Sequence, residues 1–377
     1  VLVPCPNATG HEYLAAKQWH QFEKIIKAKN FWKLILKPNQ FGPWPSKGLV
    51  VFLGGDQFWS VLLSARLGYL HMTYAEWIAR WPFWNDRIVA MSDQIVQKLP
   101  KQTHDRCSVI GDLTADLTTS AKINNQLPSG QWIALMPGSK SAKLKIGIPF
   151  FLDVADKISQ LNPNCRFLLP LAPTTNLEEI KYFGSIENPI TKKYKSRIKS
   201  ITKATNKETR GILITNNFTE ILIQENHPAH NDLSQCDIAL TTVGANTAEL
   251  GSLTIPMIVV VPTQHILVMN AWDGLLGLIA RLPILKWCFG ILFSFLKLKK
   301  RGFMAWPNIY AKRMIVPERI GHITTKQIAE ETIDWLSNPS RLEGQKKDLQ
   351  ILRGSKGAKK KFCQQIINLL EEKKLLD

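Results

Sequence analysis

The sequence is poor in acidic residues relative to basic ones. Asp and Glu together number 30 against 48 Lys and Arg, so the 377-residue chain carries a formal charge of +18. This excess indicates an anionic partner, such as a phosphorylated substrate or an anionic lipid surface, with a solvated basic face as the alternative. A nucleic-acid partner is disfavoured, because the chain has no zinc-finger spacing and no RNP-like motif.

Paired cysteines are also lacking. The six cysteines are far apart in the chain, with no Cys-x-x-Cys pair and no nearby His at metal spacing. Buried thiols in a reducing cytosol are therefore expected, and no signal peptide is expected before the first element. A P-loop and an Asp-x-Asp motif are absent as well, so we expect neither a metal ion nor an organic cofactor. Because the chain lacks an initiator Met, we expect its first βα unit to be missing.

Short apolar runs alternate with amphipathic segments along most of the chain, a pattern typical of βαβ units on parallel sheets. In the first third, the apolar runs predict strands at 1–4, 48–53, 69–74, 87–90 and 107–111, and the amphipathic segments predict helices at 12–28 and 57–67. After a polar linker, strands are predicted at 132–136, 165–169, 211–215, 237–241 and 256–261. The basic segment 181–209 is predicted to be an exposed excursion from this second series.

The length of the chain exceeds the size at which a single core usually stops growing, which favours two domains. We predict an α/β fold with Rossmann-like parallel-sheet domains at 1–125 and 126–345. The last segment, 346–377, is predicted to be a helix that packs back across both domains, because an apolar stripe follows its Lys-rich part.

Two strand-to-helix turns in the second domain carry the strongest signal of a binding site. Residues 137–140 contain a Gly that lets backbone N–H groups reach a phosphate at a helix N-terminus. Residues 242–249 are small enough for a nucleotide to approach, and Glu249 can accept hydrogen bonds from ribose hydroxyls. Taken alone, the first turn could be an ordinary turn with a Ser helix cap. In the second, Glu249 could be an acidic residue in the first turn of a helix that complements the helix dipole. Ligands of open α/β sheets gather at such strand ends, so two turns together are more telling.

The order and spacing of three segments in this domain resemble those of lipid-A-disaccharide synthases. The segments are 134–140, 244–260, and Trp306-Pro307-Asn308-Ile309 followed by Pro317-Glu318. The resemblance implies a glycosyltransferase fold of the GT-B type, in which two Rossmann-like domains face a cleft and the second binds a UDP-sugar. It implies that Ser139 contacts the diphosphate, Glu249 the ribose, and Asn308 the donor phosphate or sugar. The full set of implied donor-binding residues is Gly138, Ser139, Lys140, Gly244, Asn246, Thr247, Glu249 and Asn308.

The chain departs from the family pattern in both turns. Lys140 replaces the usual Arg, and Ala142-Lys143 replaces an acidic residue expected shortly after it. Because Lys is a point charge without the bidentate fork of Arg, phosphate binding is expected to be looser or differently aimed. The Ser-Gly-Thr core of the family loop is altered to the sequence of residues 243–247.

Asp56 is the leading candidate for the general base. It follows the predicted strand at 48–53, which is similar to the family's apolar strand followed by an Asp proposed as the base. A carboxylate there can accept the proton of an acceptor hydroxyl as that hydroxyl attacks the anomeric carbon. The alternative is that Asp56 caps helix 57–67. His11, in another strand-end loop, is the second catalytic candidate.

Two aromatic regions are candidates for contact with an acceptor or a membrane. Residues 74–84, with Glu76 and Trp77, are suited to stacking on sugar or lipid, with core packing as the alternative. The apolar insertion at 274–298 is predicted to dock on a membrane, because its two apolar stretches are shorter than the ~20 residues that span a bilayer. Burial in the core is the alternative. The predicted membrane contacts in this insertion are Trp287, Phe289 and Phe293.

These features together predict a glycosyltransferase that moves a hexose-type unit from a UDP-sugar to a lipid-linked or amphiphilic acceptor. The resemblance favours inversion at the anomeric carbon. The protein is predicted to be cytoplasmic and peripheral on the inner face of a membrane with anionic lipids. The alternatives are a UDP-sugar epimerase on the same scaffold and a non-catalytic membrane-associated relative.

Overall fold

The computed structural model describes residues 1–4, 12–17, 21–116, 126–204, 210–264, 302–354 and 356–375. Contacts divide the chain into two compact units, Val1–Leu117 with Gly354–Asp377, and Thr118–Arg353. Each unit is built on its own sheet with helices packed against it, so the predicted two-sheet α/β fold is confirmed. The predicted segment 346–377 is divided between the units at Arg353.

The first unit contains a four-stranded sheet in which every strand is parallel to its neighbour and the spatial order follows the chain. Its strands are β1 (Leu49–Phe52), β2 (Leu70–Ala75), β3 (Arg87–Ala90) and β4 (Cys107–Val109). The helices between them and before them are α1 (Glu12–Lys17), α2 (Phe31–Leu36), α3 (Gln57–Leu67) and α4 (Asp93–Val96).

The start of the chain differs from the prediction. Residues 1–4 form no strand; instead, the Leu2 amide donates to the Ile26 carbonyl at 2.9 Å, and Val3 packs against a small cluster that includes Phe31 and Leu34. Leu2 and Val3 are therefore half-buried without joining the sheet, and Val1 is exposed. The predicted helix at 12–28 is also wrong in extent, because residues 21–27 are not helical.

The second unit contains an eight-stranded sheet in the order β12-β11-β10-β5-β6-β9-β8-β7. The strands are β5 (Gln131–Met136), β6 (Cys165–Pro170), β7 (Ile198–Thr202), β8 (Gly211–Thr215), β9 (Glu220–Gln224), β10 (Ile238–Thr241), β11 (Met257–Pro262) and β12 (Glu318–Gly321). The six strands from β12 to β9 are parallel, while β8 and β7 are added by antiparallel pairing. Among the parallel strands, the order is that of a doubly wound Rossmann-like sheet.

The helices of the second unit connect these strands. They are α5 (Ser141–Leu161), α6 (Leu177–Phe183), α7 (His230–Leu233), α8 (Ala245–Ser252), α9 (Trp306–Ala311), α10 (Thr325–Leu336) and α11 (Pro339–Arg353). Side chains of β5 alternate between two cores, as a pleated strand requires. Ile133 and Leu135 pack with α5 and α10, whereas Trp132, Ala134 and Met136 pack with α8 and α11.

The basic excursion predicted at 181–209 is partly wrong. Residues 198–202 form β7, which pairs with β8 at the edge of the sheet. Only Ile198 and Ile201 of this strand are half-buried and the other residues are exposed, so its apolar signal is weak. The edge of β8 supplies its hydrogen bonds.

The C-terminal helix, α12 (Ala358–Glu372), packs on the first unit. The Asp116 carboxylate accepts from the backbone N–H groups of Gly357 and Lys359, both at 2.6 Å, and thereby caps the helix. At the other end, Arg87 donates to both carboxylate oxygens of Glu372 at 2.7 Å. The predicted packing of this segment across both domains stays a prediction.

Candidate functional site

The strand order of the second sheet reverses between β5 and β10. Strands on one side of this point are reached from β5 through β6, and strands on the other side from β10 through β11. The turns that follow β5 and β10 therefore leave the sheet on opposite faces, which opens a crevice at the carboxyl ends of the strands. Both predicted binding segments, 137–140 and 242–249, begin at this point, because Met136 and Thr241 are paired at the ends of the two strands.

Hydrogen bonds tie the two turns together. The Thr242 backbone N–H donates to the Met136 carbonyl at 3.2 Å, and the Thr242 hydroxyl donates to the Pro137 carbonyl, also at 3.2 Å. These bonds join the second turn to the first along its length. The crevice is therefore a preformed feature of the second unit.

Lys143, in the first turn of α5, lies between the two glycine turns. Gly138 and Gly244 both have positive φ, at 102° and 145°. A Cβ added to Gly138 would lie 2.9 Å from Lys143 Cδ, and one added to Gly244 would lie 2.9 Å from Lys143 Nζ. The ammonium group donates to the Val243 carbonyl. The positive φ favours glycine at both positions. Lys143 passes close to both glycines, although it was not among the predicted binding residues.

Ser139 and Lys140 lie where α5 begins, as predicted. Both are partly exposed, and Lys140 is the residue before the first turn of the helix. Its side chain makes no capping hydrogen bond, and its carbonyl accepts from the Leu144 N–H at 3.0 Å. The contacts predicted for these two residues with a diphosphate stay predictions.

Glu249 has a partner that the sequence did not indicate. Its carboxylate lies 3.2 Å from His230 Nε2, and its side chain is 34% exposed. Burial lowers the pKa of the neighbouring His227, an effect that the charge of Glu249 partly opposes. Glu249 is therefore held in place and accessible, as the predicted contact with ribose hydroxyls requires.

Two of the small polar residues in the second turn are occupied within the protein. The Thr247 side chain is buried, where its hydroxyl donates to the Gly244 carbonyl at 2.8 Å and accepts from the Trp306 N–H at 3.2 Å. Its predicted contact with the donor stays a prediction. The Asn246 amide donates to the Met136 carbonyl at 3.3 Å, so it also helps to join the two turns.

Asn308 is fully buried and saturated with hydrogen bonds. Its amide nitrogen donates to the Val316 carbonyl and to the Glu318 carboxylate, both at 2.7 Å. Its amide oxygen accepts from the backbone N–H groups of Ile315 at 2.6 Å and Val316 at 2.9 Å. No hydrogen-bonding capacity remains for a ligand. In this arrangement the residue holds the turn before β12, and its predicted contact with the donor stays a prediction.

An apolar cavity of about 170 Å³ adjoins the second turn. Aliphatic and aromatic side chains of α5 and β11 form most of its wall, and Lys143 and Thr242 are its polar members. The full lining is Lys143, Ile146, Gly147, Phe150, Phe151, Thr242, Val243, Val260, Val261, Pro262 and Met304. Sequence pattern did not indicate it, because these residues come from four separate segments.

Asp56, the predicted base, is exposed and accepts from the Phe58 N–H at 3.0 Å, so it caps α3. Its catalytic role stays a prediction. His11 lies outside the described residues, as do the insertion 274–298 and its Trp287, Phe289 and Phe293.

Glu76 directly follows β2 at the carboxyl end of the first sheet. Partial burial, together with the charge of Asp112, raises the pKa of Glu76. A raised pKa is typical of a proton-transfer group, although structural networks produce the same shift. Glu76 is therefore a second carboxylate of this unit to test beside Asp56.

The first unit presents an aromatic surface, which we define as Trp32, Phe58, Trp77, Trp81, Phe83 and Trp84. All six side chains are exposed, Phe83 at 60% and Trp84 at 62%. Ring contacts join part of this surface. The ring centroid of Trp59 lies 5.4 Å from that of Trp32 and 5.3 Å from that of Phe58, and the centroids of Phe58 and Trp81 are 6.0 Å apart. Of the aromatic residues at 74–84, only Tyr74 is buried, so core packing does not explain this region.

Within the described part of the chain, no three His, Cys, Asp or Glu side chains are grouped as a metal site would need. Among the same residues, no helix combines the length and the apolar character required to cross a bilayer.

No protein-family model matches the chain. It is similar to the lipid-A-disaccharide synthase of Pseudomonas fluorescens (strain SBW25), with 25% identity over 215 residues, which is 57% of this chain and 42% of that protein. It is also similar to the lipid-A-disaccharide synthase of Myxococcus xanthus (strain DK1622), with 24% identity over 245 residues, which is 63% of this chain and 49% of that protein. The chain thus spans less than half the length of either relative.

The fold is similar to that of a UDP-GlcNAc 2-epimerase from Neisseria meningitidis solved with bound UDP-GlcNAc. The TM-score is 0.50 at 12% identity, over 90% of this chain and 80% of that one. The chain is accordingly similar in sequence to lipid-A-disaccharide synthases, as a divergent relative, and has an α/β architecture of the GT-B type.

Proposed function

We propose that the protein is a glycosyltransferase that moves a sugar from a UDP-sugar to a lipid-linked or amphiphilic acceptor at a membrane surface. The observation that carries the proposal is the pair of glycine turns at the switch point of the second sheet. They bring the start of α5 and the Glu249 carboxylate to one end of the sheet. A nucleoside diphosphate needs both kinds of group, since its phosphates favour a helix N-terminus and its ribose hydroxyls need an acceptor.

The chemistry follows from these groups. The oxygen of an acceptor hydroxyl forms a bond to the anomeric carbon, while the bond from that carbon to the diphosphate breaks and its electron pair leaves with UDP. The hydroxyl proton passes to a base, for which Asp56 is the first candidate and His11 the second. Positive groups at the start of α5 stabilise the leaving diphosphate, so we propose that the reaction needs no metal ion. Inversion at the anomeric carbon is proposed from the sequence similarity.

The aromatic surface supports a lipid-facing role for the first unit. Trp rings are amphipathic and favour the boundary between water and lipid. Exposed cations, among them Lys33 on α2 and Arg80 beside Trp81, lie on the same segments. With a net charge of +18, the protein is suited to a membrane that carries anionic lipids. We propose that it acts as a peripheral protein on the cytoplasmic face of such a membrane.

UDP is expected to raise the melting temperature of the protein. A ligand at a hundred times its Kd stabilises a folded protein by about 2.7 kcal/mol. Glu249→Ala is expected to lose most of this shift, because the ribose hydroxyls lose their acceptor, whereas Glu343→Ala on α11 should retain it. Thermal shift measurements with a panel of nucleotide sugars identify the donor. A wild-type protein that no uridine nucleotide stabilises would contradict the proposal.

Turnover then separates the possible activities. The donor found by thermal shift is incubated with and without vesicles that contain candidate lipid acceptors, and UDP release and product stereochemistry are followed by NMR. Release of UDP that requires an acceptor supports transfer. Conversion of the sugar without an acceptor identifies an epimerase instead, and binding without any turnover identifies a non-catalytic relative.

The double variant Phe83→Ser with Trp84→Ser is expected to bind anionic vesicles at least about tenfold more weakly than the wild type. Burial of a large apolar side chain contributes about 1.5–3 kcal/mol, and both rings are exposed in the protein, so their loss should cost little stability. Vesicle sedimentation measures the partition. Phe218→Ser, which removes an exposed ring of the second unit, is the control. Equal partition of the double variant and the control variant would show that this surface does not face lipid.

A further inference from the structure

We propose that Lys143 is the cation that binds the donor diphosphate. This inference rests on the proposed function and assigns to its nucleotide site a residue that the sequence did not indicate. Lys143 is the third residue of α5, and its side chain crosses from the first glycine turn to the second. The turns themselves leave room for it, because a Cβ at Gly138 or at Gly244 would lie 2.9 Å from its atoms.

The position of the ammonium group supports this assignment. Nζ lies beside Gly244 and donates to the Val243 carbonyl, so it is at the junction of the turns rather than in solvent. Lys143 also lines the apolar cavity, and a lysine can pack its methylene stem on apolar surface while its charged end bonds elsewhere. A partly buried cation attracts an anion more strongly than an exposed one, because the local dielectric is lower.

Two ammonium groups belong to the start of α5. Lys140 is the residue before the helix, and Lys143 is its third residue. A single Lys is a point charge that cannot form the two parallel hydrogen bonds of an Arg. A second ammonium at the junction of the turns adds to the attraction for a diphosphate, whereas a carboxylate there would repel it.

A structural role is the competing explanation, because Lys143 also holds the second turn to α5 through the Val243 carbonyl. The two roles differ in what they do to a ligand without phosphates. Loss of a phosphate contact weakens UDP and spares uridine, whereas distortion of the second turn weakens both, since Glu249 follows that turn.

The experiment compares the affinities of UDP and uridine by calorimetry, with uridine measured by competition. Lys143→Gln retains a hydrogen-bond donor without the charge. We expect it to weaken UDP about tenfold or more, because a charge-assisted hydrogen bond is lost, and to leave uridine within about twofold. Lys143→Arg should retain most of the UDP affinity. Lys145→Gln makes the same change of charge on another face of α5 and should leave both ligands unaffected.

A UDP affinity that is unchanged in Lys143→Gln overturns the assignment, and so does an equal loss of UDP and uridine affinity. If Lys143→Gln does not fold, Lys143→Met, which keeps the apolar stem against the cavity, is judged by the same two outcomes. A wild-type protein that binds neither ligand overturns the proposed function as well, so the two failures are distinguished.

Discussion

Asn308→Ala is expected to lower the free energy of unfolding of the second unit by about 3 kcal/mol or more. The substitution removes four hydrogen bonds and leaves the buried N–H groups of Ile315 and Val316 without their acceptor. Each unsatisfied buried group costs about 1–3 kcal/mol, and the surrounding structure relaxes only in part. Urea unfolding measures the change, and Asn164→Ala, at an exposed turn, is the control.

The same variant separates the two explanations of Asn308. In the structure, the residue supports the turn before β12, so the fraction that stays folded should bind UDP as the wild type does. A variant that kept its stability and lost UDP affinity would show the opposite. The direct donor contact implied by the family resemblance would then be right, and the structural role would be wrong.

Asp56→Asn is expected to lower turnover by about 10²-fold or more while UDP affinity stays nearly unchanged. An amide cannot accept the proton of the acceptor hydroxyl. Asn is as good an N-cap as Asp, so the variant should keep the bond from the Phe58 N–H and hence α3. Initial rates at saturating donor measure the effect, with the exposed Asp93→Asn at the start of α4 as the control.

Normal turnover of Asp56→Asn would show that Asp56 acts only as a helix cap. Glu76 and His11 would then be the candidates for the general base. The pH profile then identifies Glu76. A general base acts only when deprotonated, so the rate falls as the pH falls through its pKa. Because the pKa of Glu76 is raised, this fall would begin at a higher pH than for an ordinary carboxylate, and Glu76→Gln would abolish it.

The strands were predictable where apolar residues are contiguous in the chain. Strands β5, β6, β8, β10 and β11 lie within one residue of their predicted bounds. Four of them are buried parallel strands, which must be apolar on both faces, whereas β8 is an antiparallel strand that is still a contiguous apolar run. Strands β7, β9 and β12 were missed. Each carries charged or polar residues within a run of four or five, so its apolar signal in the sequence is weak. Strand β12 obtains its hydrogen bonds from β11, which is distant in the chain, whereas β9 pairs with the nearby β8 as well as with β6.

The candidate site shows the same division. Glycines in strand-to-helix turns indicate a site through local geometry alone. Gly138 and Gly244 both lie in such turns, as the sequence predicted, and both have positive φ. The role of a polar side chain depends on residues that are distant in the chain. Thr247 and Asn308 have the residue types of ligand contacts, but in the structure they form hydrogen bonds with Trp306 and Val316.

The sequence by itself determined that the chain forms two α/β units and where their main strands lie. It also determined which two glycine turns of the second unit follow strands and precede helices. These properties depend on residue size, apolarity and periodicity within short segments. Tertiary structure alone decided that Lys143 joins the glycine turns, that Asn308 is buried, and that the six residues of the aromatic surface are exposed. Burial and hydrogen-bond partners depend on residues brought together from distant parts of the chain, so no local pattern contains them.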